Sequence, residues 1–270
     1  MSFKTLLFPL QPSPVGQAAL TRTVEFAKSI GADLIGVGAR APVYLTDPWL
    51  ISGDILTRLA EDDEAALKAA EDCFRDAAAG LGERAHWRVR RDFPNTAMNL
   101  EAAGADLIVA PMEKGPEAST IKLSDLILES GLPVMVLPNP APAIRAERIL
   151  IAWRNTADAR RAVTTALPLL QTAAEVVVLQ IVRTEDAEDA WPGLHAVTDR
   201  LLRQGVKAKA EMVRQGDHAD AAALLAEAEA RAVDLIVLGG YGHTRAREWI
   251  LGGMTHDLLS TTTLPLFMVH

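Results

Sequence analysis

The sequence predicts an α/β protein built twice over, as two tandem units that are each a five-stranded parallel sheet with helices on both faces. Three observations carry this. The two halves repeat one series of apolar segments, the segments are short and continuously apolar as strands buried on both faces are, and they alternate with longer stretches of helical period. Lys4–Pro9 matches Arg148–Trp153, Ala32–Val37 matches Ala174–Leu179, Ala105–Ala110 matches Val233–Leu238, and Leu132–Val136 matches Leu264–Met268. The offset drifts from about 142 residues to about 128 and then about 132, so the repeat is a domain-sized unit with insertions and not a short solenoid repeat.

The second half gives the clearest element order. A strand is expected over Ile149–Trp153, then a helix capped by Thr156, with Ala159, Ala162, Val163, Ala166 and Leu170 on its apolar face. Val176–Val182 is the second strand. An amphipathic stretch over Ala190–Gln204 leads through Gly205 to a third strand, Ala208–Val213, and alanine-rich Asp220–Ala230 is a helix before the strand Leu235–Leu238. Thr255–Ser260 and Leu266–Val269 are the last helix and strand. Parallel strands in this order need right-handed crossovers, which places helices on both faces. Val134–Leu137 and Leu266–Val269 end their halves as apolar strands that would be open edges, so the halves are expected to pair as an intramolecular pseudo-dimer. Alternating prolines in Pro138–Ala143 make a stiff spacer between a first unit at 1–140 and a second at 141–270.

Composition narrows the function classes. The chain has 270 residues, 49% of them hydrophobic and 23% charged, which is ordinary globular composition with enough apolar material for a sizeable core. Thirty-five acidic residues against 27 basic ones give a net charge of −8, and no block of five or six like charges occurs, so nucleic acid is not expected as a partner. The single cysteine, Cys73, excludes an intramolecular disulfide and suits a reducing compartment. No secretory segment and no apolar run of membrane-spanning length is visible, so the expectation is a cytoplasmic protein away from membranes. The six histidines lack ligand spacing, no Gly-x-Ser-x-Gly elbow occurs, and neither a metal site nor a catalytic nucleophile is expected.

The segment from Gly239 to Thr255 stands out, because glycines at 239, 240, 242, 252 and 253 follow a buried strand directly and lead to a helix start. In an open parallel sheet ligands bind at the carboxyl ends of strands, and such a loop can aim free backbone N–H groups and the positive helix end at an anion. The pattern is neither GxxxxGK[ST] nor GxGxxG. Gly239-x-x-Gly242, nine residues and then Gly252, opening a helix after the fourth strand, resembles the nucleotide-binding motif of the universal stress protein family. The resemblance spans the chain: two tandem units, the opening strand "ILIAW", the turn Gly216-Asp217-His218-Ala219, "VDLIVLGGYGHTR" and the terminal "LPLFMV".

That resemblance implies a site for ATP, with or without Mg²⁺, in the second unit. Gly239 and Gly242 would line the phosphate loop, Gly252, Gly253, Met254 and Thr255 would offer backbone and hydroxyl groups to phosphates and ribose, and Ala152, Trp153 and Arg154 would lie near base and ribose; His243, by its position flanking the glycine frame, is a candidate phosphate contact. It also implies a homodimer and an unknown protein partner. Where the family commonly carries an acidic residue after the first strand this chain has Arg154, and Gly253 replaces the Ser or Thr that usually follows the third glycine. In the first half, registration of the strands puts Pro111 and Lys114 at the places of Gly239 and Gly242, and Thr120 and Ile121 at those of Gly252 and Gly253. Pro111 removes an N–H donor and β-branched Ile121 blocks close backbone approach. Three function classes fit: a nucleotide-binding regulatory protein of the stress response with one site, in the second unit; a nucleotide-free interaction scaffold of the same fold; and a slow ATP hydrolase, for which no positioned base is visible.

Overall fold

The computed structural model describes residues 2–41, 53–113, 121–183, 187–214, 220–240 and 253–270. Its chain divides into two compact units, one of Ser2–Leu132 with Asn139–Ala143 and one of Pro133–Pro138 with Ile144–His270, apart from Met1. The division departs from chain order at a single strand: the last strand of the first repeat lies with the second half.

In the first unit, β1 (Thr5–Pro9), β2 (Asp33–Ala39), β3 (Ala85–Arg90) and β4 (Leu107–Pro111) are parallel in the order β3-β2-β1-β4. Between them run α1 (Pro14–Ile30), α2 (Gly53–Ala78) and α3 (Pro94–Glu101), and α4 (Leu123–Glu129) follows β4. Ser13 caps α1, its hydroxyl accepting from the Gly16 N–H at 2.9 Å, and Pro14 takes the first helical turn, where a missing N–H costs nothing. Apart from Thr5 the central strands β1 and β4 are apolar, with Leu6, Leu7, Phe8, Leu107, Ile108 and Val109 buried. On β2 the glycines at 36 and 38 make room for aromatic rings: a Cβ on Gly36 would stand 2.5 Å from the Phe74 ring, and one on Gly38 would stand 2.7 Å from Trp87. Phe74 of α2 and Trp87 of β3 pack with ring centroids 5.3 Å apart in that groove. On β3, Arg88 is exposed as an edge-strand face predicts, whereas Arg90 pairs with Glu101 of α3. Ala141 is tied to α1 by a hydrogen bond that its carbonyl accepts from Arg22 Nε at 3.3 Å.

In the second unit, β6 (Arg148–Ala152), β7 (Glu175–Val182), β8 (Ala208–Arg214), β9 (Leu235–Gly239) and β10 (Leu266–Val269) are parallel in the order β10-β9-β6-β7-β8. β5 (Val134–Leu137) joins them antiparallel on β10, with Met135 opposite Phe267. The last strands of the two repeats therefore pair with each other, all eight of their residues buried. The helix expected from Thr156 to Leu170 is two helices, α5 (Ala157–Thr165) and α6 (Leu167–Thr172). Pro168 is the cause, since it has no N–H for the Thr164 carbonyl and is tolerated only in a first helical turn. α7 (Ala187–Arg203), α8 (Asp220–Ala230) and α9 (Gly253–Thr261) complete the unit. Alternating charges cross the unit from β6 to its edge strand β8 and on to α8: Arg148 to Glu175 at 3.0 Å, Glu175 to Lys209 at 2.8 Å, Lys209 to Glu211 at 3.1 Å, Glu211 to Arg231 at 2.5 Å, and Arg231 to Glu227. Charged side chains of this kind discourage pairing with a foreign strand. Among the described residues no helix is long and apolar enough to cross a membrane.

Candidate functional site

The candidate site lies at the carboxyl ends of β6, β7 and β9. β6 ends at Ala152, and its direction continues one residue further because the Trp153 N–H donates to the Leu179 carbonyl at 2.8 Å. The chain then turns, with the Thr156 N–H on the Arg154 carbonyl at 2.7 Å, and α5 begins under a cap in which Thr156 Oγ1 accepts from the Ala159 N–H at 3.3 Å. Arg154 is exposed, and Asn155 is fixed by a bond that its Oδ1 accepts from Arg160 Nη1 at 2.8 Å. α7 closes on the same turn, since a Cβ on Gly193 would stand 3.3 Å from Asn155 Nδ2.

Gly239 ends β9 directly against the first turn of α5. A Cβ there would stand 2.6 Å from the Ala159 nitrogen and 2.9 Å from Asp158 Cβ, so this position excludes any side chain for a reason of packing alone. Asp158 is buried and pairs with Arg161 one turn on. Gly240 continues from β9, its N–H donating to the Val269 carbonyl at 2.8 Å, and its carbonyl lies 3.1 Å from His270 Nδ1. On the far side of the expected loop, α9 starts at Gly253, with Met254 half-buried and Thr255 buried. The structure thus places Ala152, Trp153, Arg154 and Gly239 at the neighbouring carboxyl ends of β6 and β9 and puts Gly253, Met254 and Thr255 in a helix start. Gly242, His243 and Gly252 lie outside the described residues.

Two features had no signal in the sequence. Trp153 is 5% exposed, and its Nε1 is buried without a hydrogen-bond partner; Gln180 Oε1 on β7 is in the same condition. The corresponding crevice of the first unit is different in kind. Pro9, Leu10, Val37, Pro94, Met98 and Ile121 line it and leave about 10 Å³, room for one water at most. Ile121, aligned with Gly253, is one of the side chains that fill it. Among the described residues no group of three or more His, Cys, Asp or Glu is placed to hold a metal ion.

Residues 146–270 match the Universal stress protein family model. None of the curated proteins matches the chain. Among solved structures, a universal stress protein from Archaeoglobus fulgidus DSM 4304 is similar over 98% of this chain and 95% of its own, at 16% identity and a TM-score of 0.69. A Pseudomonas aeruginosa UCBPP-PA14 protein described as a candidate universal stress protein covers 99% and 93% at 14% identity and a TM-score of 0.64. A functionally unknown protein from Pseudomonas aeruginosa PAO1 covers 99% and 92% at 14% identity and a TM-score of 0.61. Identities this low speak for the fold alone, and both halves of the chain share it. The second half, residues 146–270, belongs to the universal stress protein family, and the chain as a whole has the tandem, two-unit form of that fold.

Proposed function

We propose that the protein is a nucleotide-binding regulatory protein of the stress response, that it binds ATP, and that its site lies in the second unit only. The contrast between the two strand-end crevices carries this reading. The first is narrowed mainly by apolar side chains, Leu10, Met98 and Ile121 among them, with Gln11 beside them, while the second has glycine at the end of β9, the capped start of α5 and a glycine at the start of α9. Helix starts and glycine backbone suit phosphates, because unpaired N–H groups and the helix dipole both favour an anion. The packing role of Gly239 supports a second reading, a nucleotide-free scaffold in which the glycine serves the sheet. Self-association of whole chains into a dimer belongs to the first reading and is read by light scattering with and without ATP.

Titration calorimetry of the full chain with ATP, with and without Mg²⁺, separates the two. One nucleotide per chain is expected, and at a hundred times its dissociation constant it should stabilise the fold by about 2.7 kcal/mol. Gly252→Val should abolish binding and Thr120→Val should leave it unchanged. No heat and no melting shift at millimolar ATP leaves the scaffold reading standing.

A further inference from the structure

We propose that the indole N–H of Trp153 and the side-chain carbonyl of Gln180 form a base-reading pair, selecting a purine that presents an amino group beside a ring nitrogen. This deepens the nucleotide reading above and rests on it. Both atoms are buried and neither has a partner, a condition that native proteins resolve with an ordered water or a bound group.

The two side chains are neighbours by register. Ala152 stands opposite Leu179, and the bond from the Trp153 N–H to the Leu179 carbonyl carries the pairing one step on, so Trp153 lies beside Gln180 on one face of the sheet. Adjacent strands run about 4.8 Å apart, close enough for one planar ligand edge to meet both side chains. On its other side Ala152 stands opposite Leu238, which puts Gly239 next to Trp153 in the same row. The partnerless donor and acceptor are thus aligned with the first glycine of the candidate nucleotide loop.

The other repeat supplies the contrast. There the Leu10 N–H donates to the Val37 carbonyl at 2.9 Å, the same bond one repeat earlier, so Leu10 and Gly38 hold the places of Trp153 and Gln180. Neither has a side chain that can form a hydrogen bond. The first unit has a partnerless indole N–H too, that of Trp87 against Gly38, but no side-chain acceptor at that place, so the donor–acceptor couple occurs beside the glycine frame and not in the first unit's counterpart positions.

Chemistry then narrows the ligand. Indole Nε1 only donates, so it requires an acceptor, and the Gln180 oxygen requires a donor beside it. Adenine offers that order on one edge, a ring nitrogen next to the 6-amino group. A 6-oxo purine held in the same pose sets an acceptor against the Gln180 oxygen.

Calorimetry of the full-length chain with ATP and with inosine triphosphate, for wild type, Trp153→Phe and Gln180→Leu, tests the pair. Wild type should prefer ATP by about tenfold or more, and each variant should lose most of that preference through weaker ATP binding, since the penalty comes from a buried polar group left unmatched. Circular dichroism and melting check that the variants are folded, and Gln180→Met, closer in length, replaces Gln180→Leu if the latter is not. Wild-type ATP binding with an unchanged ATP-to-inosine-triphosphate ratio in the variants overturns the pair and leaves the nucleotide reading intact. Wild type binding neither nucleotide overturns both.

Discussion

Asp106 and Asp234 hold the same post in the two repeats. Each stands just before the fourth strand of its repeat and accepts from backbone N–H groups where the first strand begins: Asp106 from Lys4 at 2.8 Å and Thr5 at 2.9 Å, Asp234 from Glu147 at 3.0 Å and Arg148 at 3.2 Å. The carboxylate fastens the amino ends of neighbouring strands, β4 to β1 and β9 to β6. Burial pushes the Asp234 carboxyl above its usual range, and this outweighs the two backbone donors that pull it down.

A first prediction follows for Asp234. Because its folded value is raised, its contribution to stability is fully present below the unfolded value of 3.8 and is lost as pH rises through the folded value. Asp234→Asn keeps one acceptor and removes the buried charge, so it should melt no lower than wild type at pH 7. Asp234→Ala removes the acceptors and should cost about 1–2 kcal/mol. Thermal melts of both variants at pH 7 and pH 4 check this, and an Asn variant that loses as much as the Ala variant contradicts it.

The charge lacing at β8 titrates the other way. Burial raises the Glu211 carboxyl, but the hydrogen bonds from Arg231 and Lys209 outweigh it and hold the group below its ordinary range. Its stabilisation is therefore present above the unfolded value of 4.5 and lost as pH falls through the folded value. Glu211→Gln should cost about 1 kcal/mol at pH 7 and flatten the acid limb of the stability curve below pH 4.5. Denaturant melts between pH 3 and pH 7 are the measurement.

Close packing rather than backbone freedom explains Gly38 and Gly239. Gly38→Ala must displace Trp87, and Gly239→Ala must push back the first turn of α5, so each should destabilise its unit by about 1–3 kcal/mol. A Gly239→Ala variant that melts with wild type would falsify the contact with Ala159.

Arg154 is exposed at the turn into α5. If ATP occupies the crevice, reversing this charge with Arg154→Asp should weaken binding severalfold, by roughly 1 kcal/mol, with less effect at high salt. Tighter binding would mean that the guanidinium had displaced a useful carboxylate, and unchanged affinity would place Arg154 outside the site.

Much of the fold was legible because buried parallel strands and amphipathic helices leave strong local patterns. The bounds of α8 and of β10 coincide with those expected, and the pairing of β5 with β10 follows from two apolar edges that each needed a partner. What was not legible is tertiary. The apolar period continues across Pro168, so the pattern alone does not mark the break between α5 and α6. Nothing in the local sequence of β3 marks Arg90, whose partner Glu101 comes from α3. Gly239 reads as a phosphate-loop glycine, but its packing against α5 depends on a helix 80 residues earlier in the chain. Nothing local marks Gln180 either, since the lack of a partner for a side chain is a property of its surroundings.

The placement of β5 orders events in time. Synthesis releases Val134–Leu137 long before Leu266–Val269, and at about 5–20 residues per second the gap between them lasts roughly 7–26 seconds. Throughout that interval the edge of β5 that receives β10 faces solvent or a chaperone as an apolar template. Crowded polysomes translating this message therefore hold many copies of the same open edge side by side, so expression yield should respond to translation speed downstream of residue 137 more than to speed upstream of it.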